Sequence, residues 1–253
     1  MGIDLALIGG TGLYAFAGLE IEQRVKPQTP YGEISGEIAL GRYAGRRVAF
    51  LARHGAGHTI APHRINYRAN LSALHALGVR RAVAVNAVGG ITALMRPRAV
   101  CVPHQLIDYT HGRVSSFCDA DGAEVRHVDF SEPYTPSLSN ALIEAAGRVG
   151  IAVVPRGVYG ATQGPRLETV AEIARMARDG CDLVGMTGMP EAVLARELDI
   201  EYACLALVAN WAAGCDEHGV GQNLPPISLD EIFAHLEVAT AQVPAIVTEL
   251  LRA

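Results

Sequence analysis

Short apolar runs that alternate with helical patterns constrain the fold of this chain more than any other feature. Several of the runs are rich in β-branched residues and apolar throughout, as expected for strands that are buried on both faces of a sheet. Strands that alternate with helices favour a mainly parallel sheet covered by helices on both sides. No linker-like segment interrupts the 253 residues. We therefore predict an α/β fold, with a mixed, mainly parallel twisted sheet flanked by helices, in a single domain over residues 1–253.

The same patterns predict where the elements lie. The predicted strands are Leu5–Gly9, Val48–Arg53, Ala82–Asn86, Val100–Asp108, Ala152–Tyr159, Leu183–Met186 and Tyr202–Asn210. The predicted helices are Tyr67–Leu77, Leu138–Val149, Thr169–Arg178, Glu191–Leu198 and a tail from Leu229. Ser228 and Glu231 have the spacing of a capping box, which predicts that this last helix begins at Ser228.

The composition excludes several classes of protein. The net charge is −5 and no basic stripe runs along the chain, which argues against a nucleic-acid partner. Apolar stretches are far shorter than the ~20 residues of a membrane span, and the amino terminus lacks the basic segment of a signal peptide. The five cysteines form no CxxC pair, so we expect free thiols, no metal site and a cytoplasmic protein.

Small, cationic or amide residues follow five of the predicted strands. In sheets of this kind, ligands bind beyond the carboxyl ends of the strands. We therefore expect the five segments to converge on one site. They are Gly9-Gly10-Thr11-Gly12, Arg53-His54-Gly55, Asn86-Ala87-Val88-Gly89-Gly90, Gly185-Met186-Thr187 and Ala209-Asn210-Trp211.

The first two segments have the chemistry of an anion site. A turn with three glycines exposes backbone N–H groups, while Arg53 and His54 add a guanidinium and a ring donor. Other interpretations stay open: a purely structural turn, the start of a dinucleotide-binding turn, or a surface arginine beside a packed histidine. Against the dinucleotide turn, no acidic residue ends a clear second strand about 20 residues further on.

Four further candidates also have simple structural interpretations. Glu168 is compatible with a carboxylate in the first turn of a helix, where the helix dipole stabilises it. Asn210, at the end of an apolar strand, is compatible with a buried amide that closes a loop. Leu167 and Met186 would by default be core residues.

The chain resembles the trimeric purine-nucleoside phosphorylase and methylthioadenosine phosphorylase family over nearly its whole length. Five motifs in the same order carry the resemblance, which implies the nucleoside phosphorylase fold, a homotrimer, inorganic phosphate as co-substrate and no cofactor. The motifs are Ile8-Gly9-Gly10-Thr11-Gly12-Leu13, Ala52-Arg53-His54-Gly55, Asn86-Ala87-Val88-Gly89-Gly90, Gln163-Gly164-Pro165-Arg166 and Gly185-Met186-Thr187-Gly188-Met189-Pro190-Glu191.

The resemblance also implies roles for individual residues. Met186 would pack against the ribose and bind it through the backbone, and His127 would reach the ribose site of a neighbouring subunit. Asn210 and Glu168 would read the base, and Leu167 would face it. The residues that would hold phosphate are Thr11, Arg53, His54, Ala87 together with Asn86, and Thr187.

Hydrogen-bond chemistry at the base-reading positions favours a 6-oxopurine. The Glu168 carboxylate accepts from the N1–H of hypoxanthine or guanine but would face the lone pair of adenine N1. The Asn210 amide donates to O6 and accepts from a protonated N7. The adenine-using branch, by the resemblance, has a small hydroxyl residue and an aspartate at these two positions, and a second aspartate where Ala212 stands here.

An apolar group is indicated at the 5′ end of the ribose. By the resemblance, Leu229 stands where the inosine and guanosine branch has a histidine that binds the 5′-hydroxyl. Leu229, Ile232, Phe233 and Leu236 form an apolar stripe, and plain core packing is the competing interpretation. Leu229 and Ile232 would surround a 5′-methylthio group, which points to 5′-methylthioinosine.

Other functions remain open at this stage. Within the family, the substrate could be methylthioadenosine, or inosine and guanosine. The glycine turn is also compatible with a nicotinamide-dependent oxidoreductase. A nucleoside-binding module without catalysis is the third alternative, and phosphate-dependent release of the base would distinguish it from an enzyme.

Overall fold

A mixed β-sheet is the frame of the computed structural model, which describes residues 2–119, 124–221 and 227–253. Helices cover both faces of the sheet, and the buried side chains form two large apolar clusters, one on each face. The strands are β1 (Leu5–Gly9), β2 (Glu20–Val25), β3 (Ile38–Tyr43), β4 (Arg46–Ala52), β5 (Arg81–Gly90), β6 (Val100–Cys101), β7 (Gln105–Asp108), β8 (Val153–Val154), β9 (Val158–Ala161), β10 (Leu183–Gly185), β11 (Glu201–Trp211), β12 (Cys215–Asp216) and β13 (Gly219–Val220). The helices are α1 (Tyr67–Ala76), α2 (Pro136–Arg148), α3 (Val170–Asp179), α4 (Glu191–Glu197), α5 (Leu229–Thr240) and α6 (Val243–Arg252), with a short 3-10 helix at Pro62–Arg64.

Parallel pairing dominates the centre of the sheet. Strand β1 lies between β4 and β5 and is parallel to both. Strand β11 lies on the far side of β5 and is parallel to it. Strands β9 and β10 are parallel to each other, but β10 joins β5 in the antiparallel direction. The central strands β1, β5 and β11 are buried along most of their length, which explains their apolar sequences. The predicted α/β fold with a mixed, mainly parallel sheet is confirmed.

Two of the predicted strands are each divided by a proline. Pro103 separates β6 from β7, and Pro155 separates β8 from β9. Proline has no backbone N–H and cannot donate to a neighbouring strand, so the pairing stops there. After each break the chain joins different neighbours: β6 and β8 pair with each other, as do β7 and β9.

Strands β2 and β3 were not predicted from the sequence. Strand β2 forms an edge of the sheet, and its side chains are nearly all exposed. An exposed strand needs no apolar run, so the hydrophobic pattern carries no signal for it. The tail also differs from the prediction, because it forms α5 and α6 rather than one helix.

The parallel centre of the sheet places the functional segments at one edge. Gly9 at the end of β1 pairs in register with Ala52 at the end of β4. The carboxyl ends of β5 and β11 also lie side by side, where Asn210 pairs with Gly89. Four of the five segments therefore reach the same edge of the sheet. None of the helices in the described ranges is both long and apolar enough to cross a bilayer.

Candidate active site

One cleft of about 460 Å³ lies at this edge of the sheet, and we call it the main cleft. Its volume is in the range of small-molecule sites, and its lining is mainly apolar with a few polar groups. The residues proposed from the sequence that line it are Thr11, Arg53, His54, Ala87, Leu167, Glu168, Met186, Thr187, Asn210, Leu229 and Ile232. The structure therefore brings together eleven of the thirteen proposed site residues, and the exceptions are Asn86 and His127.

Close packing around the turn after β1 leaves no room for side chains at Gly9 and Gly10 and requires glycine there. A side-chain carbon on Gly9 would lie 2.2 Å from the Leu13 carbonyl oxygen, and one on Gly10 would lie 2.5 Å from that of Val85. Gly12 has a φ of +82°, which glycine adopts without strain. Gly10 and Thr11 of the turn line the main cleft, a position compatible with an anion site.

Arg53 is completely buried, so the interpretation of a surface arginine is wrong. Its guanidinium makes a bidentate ion pair with Glu191, with Nε at 2.9 Å and Nη2 at 2.8 Å from the two carboxylate oxygens. Tyr202 donates a hydrogen bond of 2.8 Å to the same carboxylate. Burial alone would lower the pKa of Arg53, but the Glu191 carboxylate more than offsets this and the net pKa is raised.

Most of the Arg53 donors are used inside the protein. Nη1 donates to the Val85 carbonyl at 2.9 Å, which leaves its second N–H, and the same nitrogen lies 2.8 Å from the position of a side-chain carbon on Gly10. Arg53 is therefore chiefly the buried partner of Glu191. The group that it can offer to a ligand is this one N–H beneath the glycine turn.

His54 is neutral and already uses its ring donor. Nδ1 lies 2.8 Å from the Ile60 carbonyl, which can only accept, so the ring carries its proton on Nδ1. Burial lowers the pKa of His54 to about 4, and the positive charge of Arg53 acts in the same direction. Nε2 is consequently an acceptor, not the donor that the sequence interpretation assumed.

Asn86 lies beneath the main cleft rather than in its wall. Its side chain is buried, and Nδ2 donates a hydrogen bond of 2.9 Å to the Thr187 hydroxyl. That hydroxyl oxygen is thereby satisfied as an acceptor, and its own proton stays available for a ligand. Direct contact of the Asn86 side chain with phosphate does not fit this position; the residue orients Thr187.

A β-bulge places Asn210 in the cleft. The register of β11 against β5 shifts between Val208 and Asn210, and such a shift re-aims the side chain that follows. Asn210 Nδ2 donates to the Trp211 carbonyl at 2.5 Å, which fixes the amide plane. One N–H and the amide oxygen remain for a ligand. Asn210 is half-buried at the cleft, so a wholly structural role in a closed loop does not account for it.

Glu168 stands on an exposed strap between β9 and α3, formed by residues 163–168. Helix α3 begins after its N-cap Thr169, so Glu168 precedes the helix and the first-turn interpretation is wrong. Its carboxylate accepts a hydrogen bond of 2.6 Å from the Thr162 hydroxyl. Glu168 also lines a second cleft of about 540 Å³ on the other side of the strap, which we call the side cleft.

Leu167 and Met186 are not core residues. Leu167 is exposed on the strap, and Met186 is half-buried in the wall of the main cleft. Arg113 donates to the Met186 carbonyl at 2.8 Å and to the Gln163 carbonyl at 2.8 Å. This one guanidinium ties the loop after β10 to the start of the strap.

The far end of the main cleft is apolar and open. Leu229 and Phe233 are 65% and 56% exposed, Ile232 is half-buried, and Leu236 is a core residue. The predicted stripe on α5 therefore divides: its first three members line the cleft and the fourth packs in the core. Ser228 is the N-cap of α5, as predicted, and its side chain accepts a hydrogen bond from the Glu231 backbone N–H. Of the two capping-box hydrogen bonds, this is the one found among the described residues.

His127 is exposed and does not line the main cleft of its own chain. Three residues of the site region were missed by sequence reasoning, namely Glu191, Thr162 and Arg113. The partners of Glu191 and Arg113 are distant in sequence, so spacing gives no signal for them. Thr162 contacts Glu168 only six residues further on, but no motif marks that pair. Within the described ranges, no group of three or more His, Cys, Asp or Glu residues is arranged to hold a metal ion.

Comparisons with known proteins agree with this geometry. The model of the Phosphorylase superfamily matches residues 4–252. A probable S-methyl-5′-thioinosine phosphorylase of Xanthomonas campestris pv. campestris is 55% identical over 250 residues, covering 99% of this chain and 98% of that protein. A 6-oxopurine nucleoside phosphorylase of Pyrococcus furiosus is 49% identical over 216 residues, covering 83% and 80%. The crystal structure of a methylthioadenosine phosphorylase from an antarctic soil metagenomic library superposes with a TM-score of 0.88 at 38% identity, covering 99% and 86%.

The fold and the site thus define an enzyme of the nucleoside phosphorylase class. The chain belongs to the Phosphorylase superfamily. The resemblance stated from the five sequence motifs is confirmed.

Proposed function

We propose that this protein cleaves 5′-methylthioinosine with inorganic phosphate and releases hypoxanthine and 5-methylthioribose 1-phosphate. The observation that carries the proposal is the division of the main cleft into a hydroxyl- and glycine-lined end, a base-reading pair and an apolar end on α5. The name of the 55% identical Xanthomonas protein supports the same substrate. The 49% identical Pyrococcus protein supports a 6-oxopurine base.

Phosphate would bind at the glycine turn. The hydroxyls of Thr11 and Thr187 and the remaining N–H of Arg53 donate to its oxygens, together with backbone N–H groups at Gly10 and Ala87. Hydrogen phosphate carries one O–H of its own, and His54 Nε2 accepts it. A neutral histidine therefore suits this ligand, although it cannot supply the donor first expected of it.

The reaction needs positioning and electrostatic stabilisation rather than a covalent enzyme intermediate. The C1′–N9 bond breaks with its electron pair leaving on the purine, and a phosphate oxygen forms the new bond to C1′. The dianion stabilises the positive charge that develops on the ribose. The leaving base gains a proton at N7 while the hydrogen phosphate loses its own proton, so the overall reaction balances. The Asn210 amide oxygen accepts from the N7–H, which stabilises the base in its protonated form. We propose that no resident cofactor or metal takes part.

Assembly and compartment belong to the same proposal. A homotrimer in which His127 reaches the ribose site of its neighbour is supported by two features of the chain. His127 is exposed and outside its own cleft, and the apolar mouth at Leu229 and Phe233 is open for a neighbour to cover. A reducing cytoplasm is supported by four cysteines that are buried as free thiols.

A phosphorolysis panel tests the substrate. Methylthioinosine, methylthioadenosine, inosine and guanosine are each incubated with and without phosphate, and the released base is quantified. We expect phosphate-dependent release with methylthioinosine as the best substrate by kcat/KM. Base release without phosphate, or equal efficiency on methylthioadenosine, would contradict the proposal. Equal efficiency on inosine would favour a general 6-oxopurine nucleoside phosphorylase, the second candidate.

Mixed oligomers test the shared site. Variants His127→Ala and Asn210→Ala should each lose most activity alone, because each lacks one residue of every site. After dissociation and reassembly together, some sites would receive both intact residues, and activity should partly return. An active monomer by light scattering, or no recovery in mixtures shown to exchange subunits, would reject the shared site.

A further inference from the structure

A single hydrogen bond orients the carboxylate that is proposed to read the base. The Thr162 hydroxyl donates to Glu168 Oε1 at 2.6 Å, and within the described residues Glu168 makes no other hydrogen bond. The preceding strap residues Pro165, Arg166 and Leu167 are exposed, so their packing does little to restrain the Glu168 side chain. We propose that Thr162 is a positioning residue that supports base specificity by holding the Glu168 carboxylate with one acceptor oxygen toward the purine. This inference rests on the proposed function.

Thr162 is held more firmly than the carboxylate it contacts. It follows the last residue of β9 directly, and its backbone N–H donates to the Gly185 carbonyl at 2.8 Å. Its own carbonyl accepts from Arg113 Nη2 at 3.1 Å. The side chain is nearly buried. Thr162 is therefore held rigidly enough to orient the side chain of the more exposed Glu168.

The direction of the hydrogen bond assigns the two carboxylate oxygens. Thr162 lines the side cleft, whereas Glu168 lines both clefts, so the bonded Oε1 lies toward Thr162 and Oε2 remains for the main cleft. The threonine has one hydroxyl proton. The competing acceptor, the Gly185 carbonyl, is 3.3 Å away, so the shorter contact to Glu168 takes that proton. The Thr162 hydroxyl is consequently a donor to Oε1, and it favours an acceptor atom at that position.

The hydrogen bond at Oε1 affects the base because it determines which atom of the residue-168 side chain is left to face the purine. In the wild type, the free Oε2 accepts the N1–H of a 6-oxopurine. In Glu168→Gln, we expect the amide oxygen to take the place of Oε1 opposite the Thr162 hydroxyl, because the other acceptor for that proton, the Gly185 carbonyl, is farther away at 3.3 Å. The amide NH₂ then turns into the main cleft. An NH₂ donor matches adenine N1, which is an acceptor, and opposes the N1–H of hypoxanthine. With Thr162 present, the change from Glu to Gln at position 168 would therefore replace an acceptor facing the base with a donor.

A double-mutant cycle measures this coupling. The readout is the ratio of kcat/KM for methylthioinosine to that for methylthioadenosine in wild type, Thr162→Val, Glu168→Gln and the double variant. We expect Glu168→Gln to shift the ratio toward methylthioadenosine by roughly 10-fold or more, as for one mispaired buried hydrogen bond. In the double variant the amide can rotate, and most of that shift should disappear. Thr162→Val alone should weaken the wild-type preference, and Thr162→Ser, which keeps the hydroxyl, should preserve it.

Thr92→Val is the matched control, because Thr92 donates to the Asp182 carboxylate at 3.1 Å and lies outside the main cleft. It removes the same kind of bond and should leave the ratio unchanged. A ratio that is unchanged in Thr162→Val, or additive effects in the double variant, would overturn the role of Thr162. Equal loss on both substrates with a lower Tm would show a merely structural role and would also overturn it.

Calorimetry separates this inference from the proposed function. If the wild type did not release base from methylthioinosine, the proposed function would fail. The affinities of the wild type and of Thr162→Val for hypoxanthine and adenine alone would then test Thr162. A hypoxanthine preference that Thr162→Val weakens and Thr162→Ser keeps would support the positioning role. A preference that is unchanged in Thr162→Val, or no preference in the wild type, would reject it.

Discussion

Replacing Arg53 with methionine removes the cationic half of a fully buried ion pair. Both side chains have no exposed surface, and the Glu191 carboxylate would lose two charge-assisted hydrogen bonds, of 2.9 and 2.8 Å. Tyr202 would remain as its donor. Breaking such a pair by removing one partner costs about 3–5 kcal/mol, because a charge stays buried without compensation. At about 2–4 °C per kcal/mol for a chain of this size, Tm should fall by roughly 6–20 °C.

The assay is thermal and denaturant unfolding of three variants beside the wild type. Arg53→Met and Glu191→Leu should each be strongly destabilised. The double variant Arg53→Met/Glu191→Leu should recover most of the loss, since an apolar pair of similar volume often replaces a buried ion pair at little cost. A Tm for Arg53→Met within about 2 °C of the wild type, well below the shift expected for this loss, would refute the reasoning.

The double variant also separates stability from phosphate binding. Arg53 offers one N–H beneath the glycine turn, so its loss should raise the KM for phosphate even where the fold is restored. Because a hydrogen bond to a charged group contributes about 1.5–3 kcal/mol, the expected increase is roughly 10- to 150-fold. An unchanged KM for phosphate in a stable double variant would leave Arg53 with a structural role alone.

Three further predictions follow from the site. Leu229→His should move the kcat/KM ratio from methylthioinosine toward inosine by about 10-fold or more, because an apolar contact is replaced by a partner for the 5′-hydroxyl; no movement of the ratio would contradict the apolar 5′ site. Asn210→Asp should weaken the preference for 6-oxopurines over 6-aminopurines in the same panel, since the donor to O6 is lost, and an unchanged preference would exclude Asn210 from base reading. The folded-state pKa of His54 is about 4 against an ordinary 6.5, so the unfolded chain takes up a proton first, and stability should fall as the pH drops from about 6.5 to 4. This loss is up to about 3 kcal/mol, and His54→Gln should remove that part of the pH dependence measured by urea unfolding at each pH; an unchanged slope would refute it.

Most of the strand ends at the site could be located from the sequence, although β5 continues to Gly90 beyond its predicted end at Asn86, but the contacts made there could not. The apolar runs predict β1 and β11 closely, because buried parallel strands have a strong composition signal. That signal also places the glycine turn and Asn210 at one edge of the sheet. The bulge that aims Asn210 depends on the pairing of β11 with β5, which no local pattern contains. Register is a property of two strands, and a single run does not specify it.

The partner of Arg53 shows a second limit. Glu191 lies 138 positions away and was noted only as the last residue of a motif. A buried charge needs a counter-charge, yet burial itself was not predicted at Arg53, so the question of its partner did not arise. The position of Asn86 shows the same limit: its amide donates to the Thr187 hydroxyl, and the order of residues along a strand does not reveal which layer a side chain occupies.

Phosphate, the base and the 5′ group of the proposed substrates would each contact a structural element of different rigidity. Phosphate would meet the ends of central strands, where backbone packing leaves little freedom, since a side-chain carbon on Gly10 would lie 2.5 Å from the Val85 carbonyl oxygen. Glu168 stands on an exposed strap and depends on one threonine. Helix α5, which carries the proposed apolar 5′ site, contacts β11 where His235 Nδ1 lies 3.0 Å from the Ala209 carbonyl, next to Asn210. Changes at the 5′ site should therefore couple to Asn210 through this shared support, and changes at Glu168 should couple to Asn210 through the base that both would read. Substrate choice can then vary at α5 and the strap while the phosphate end, and with it the reaction, stays the same.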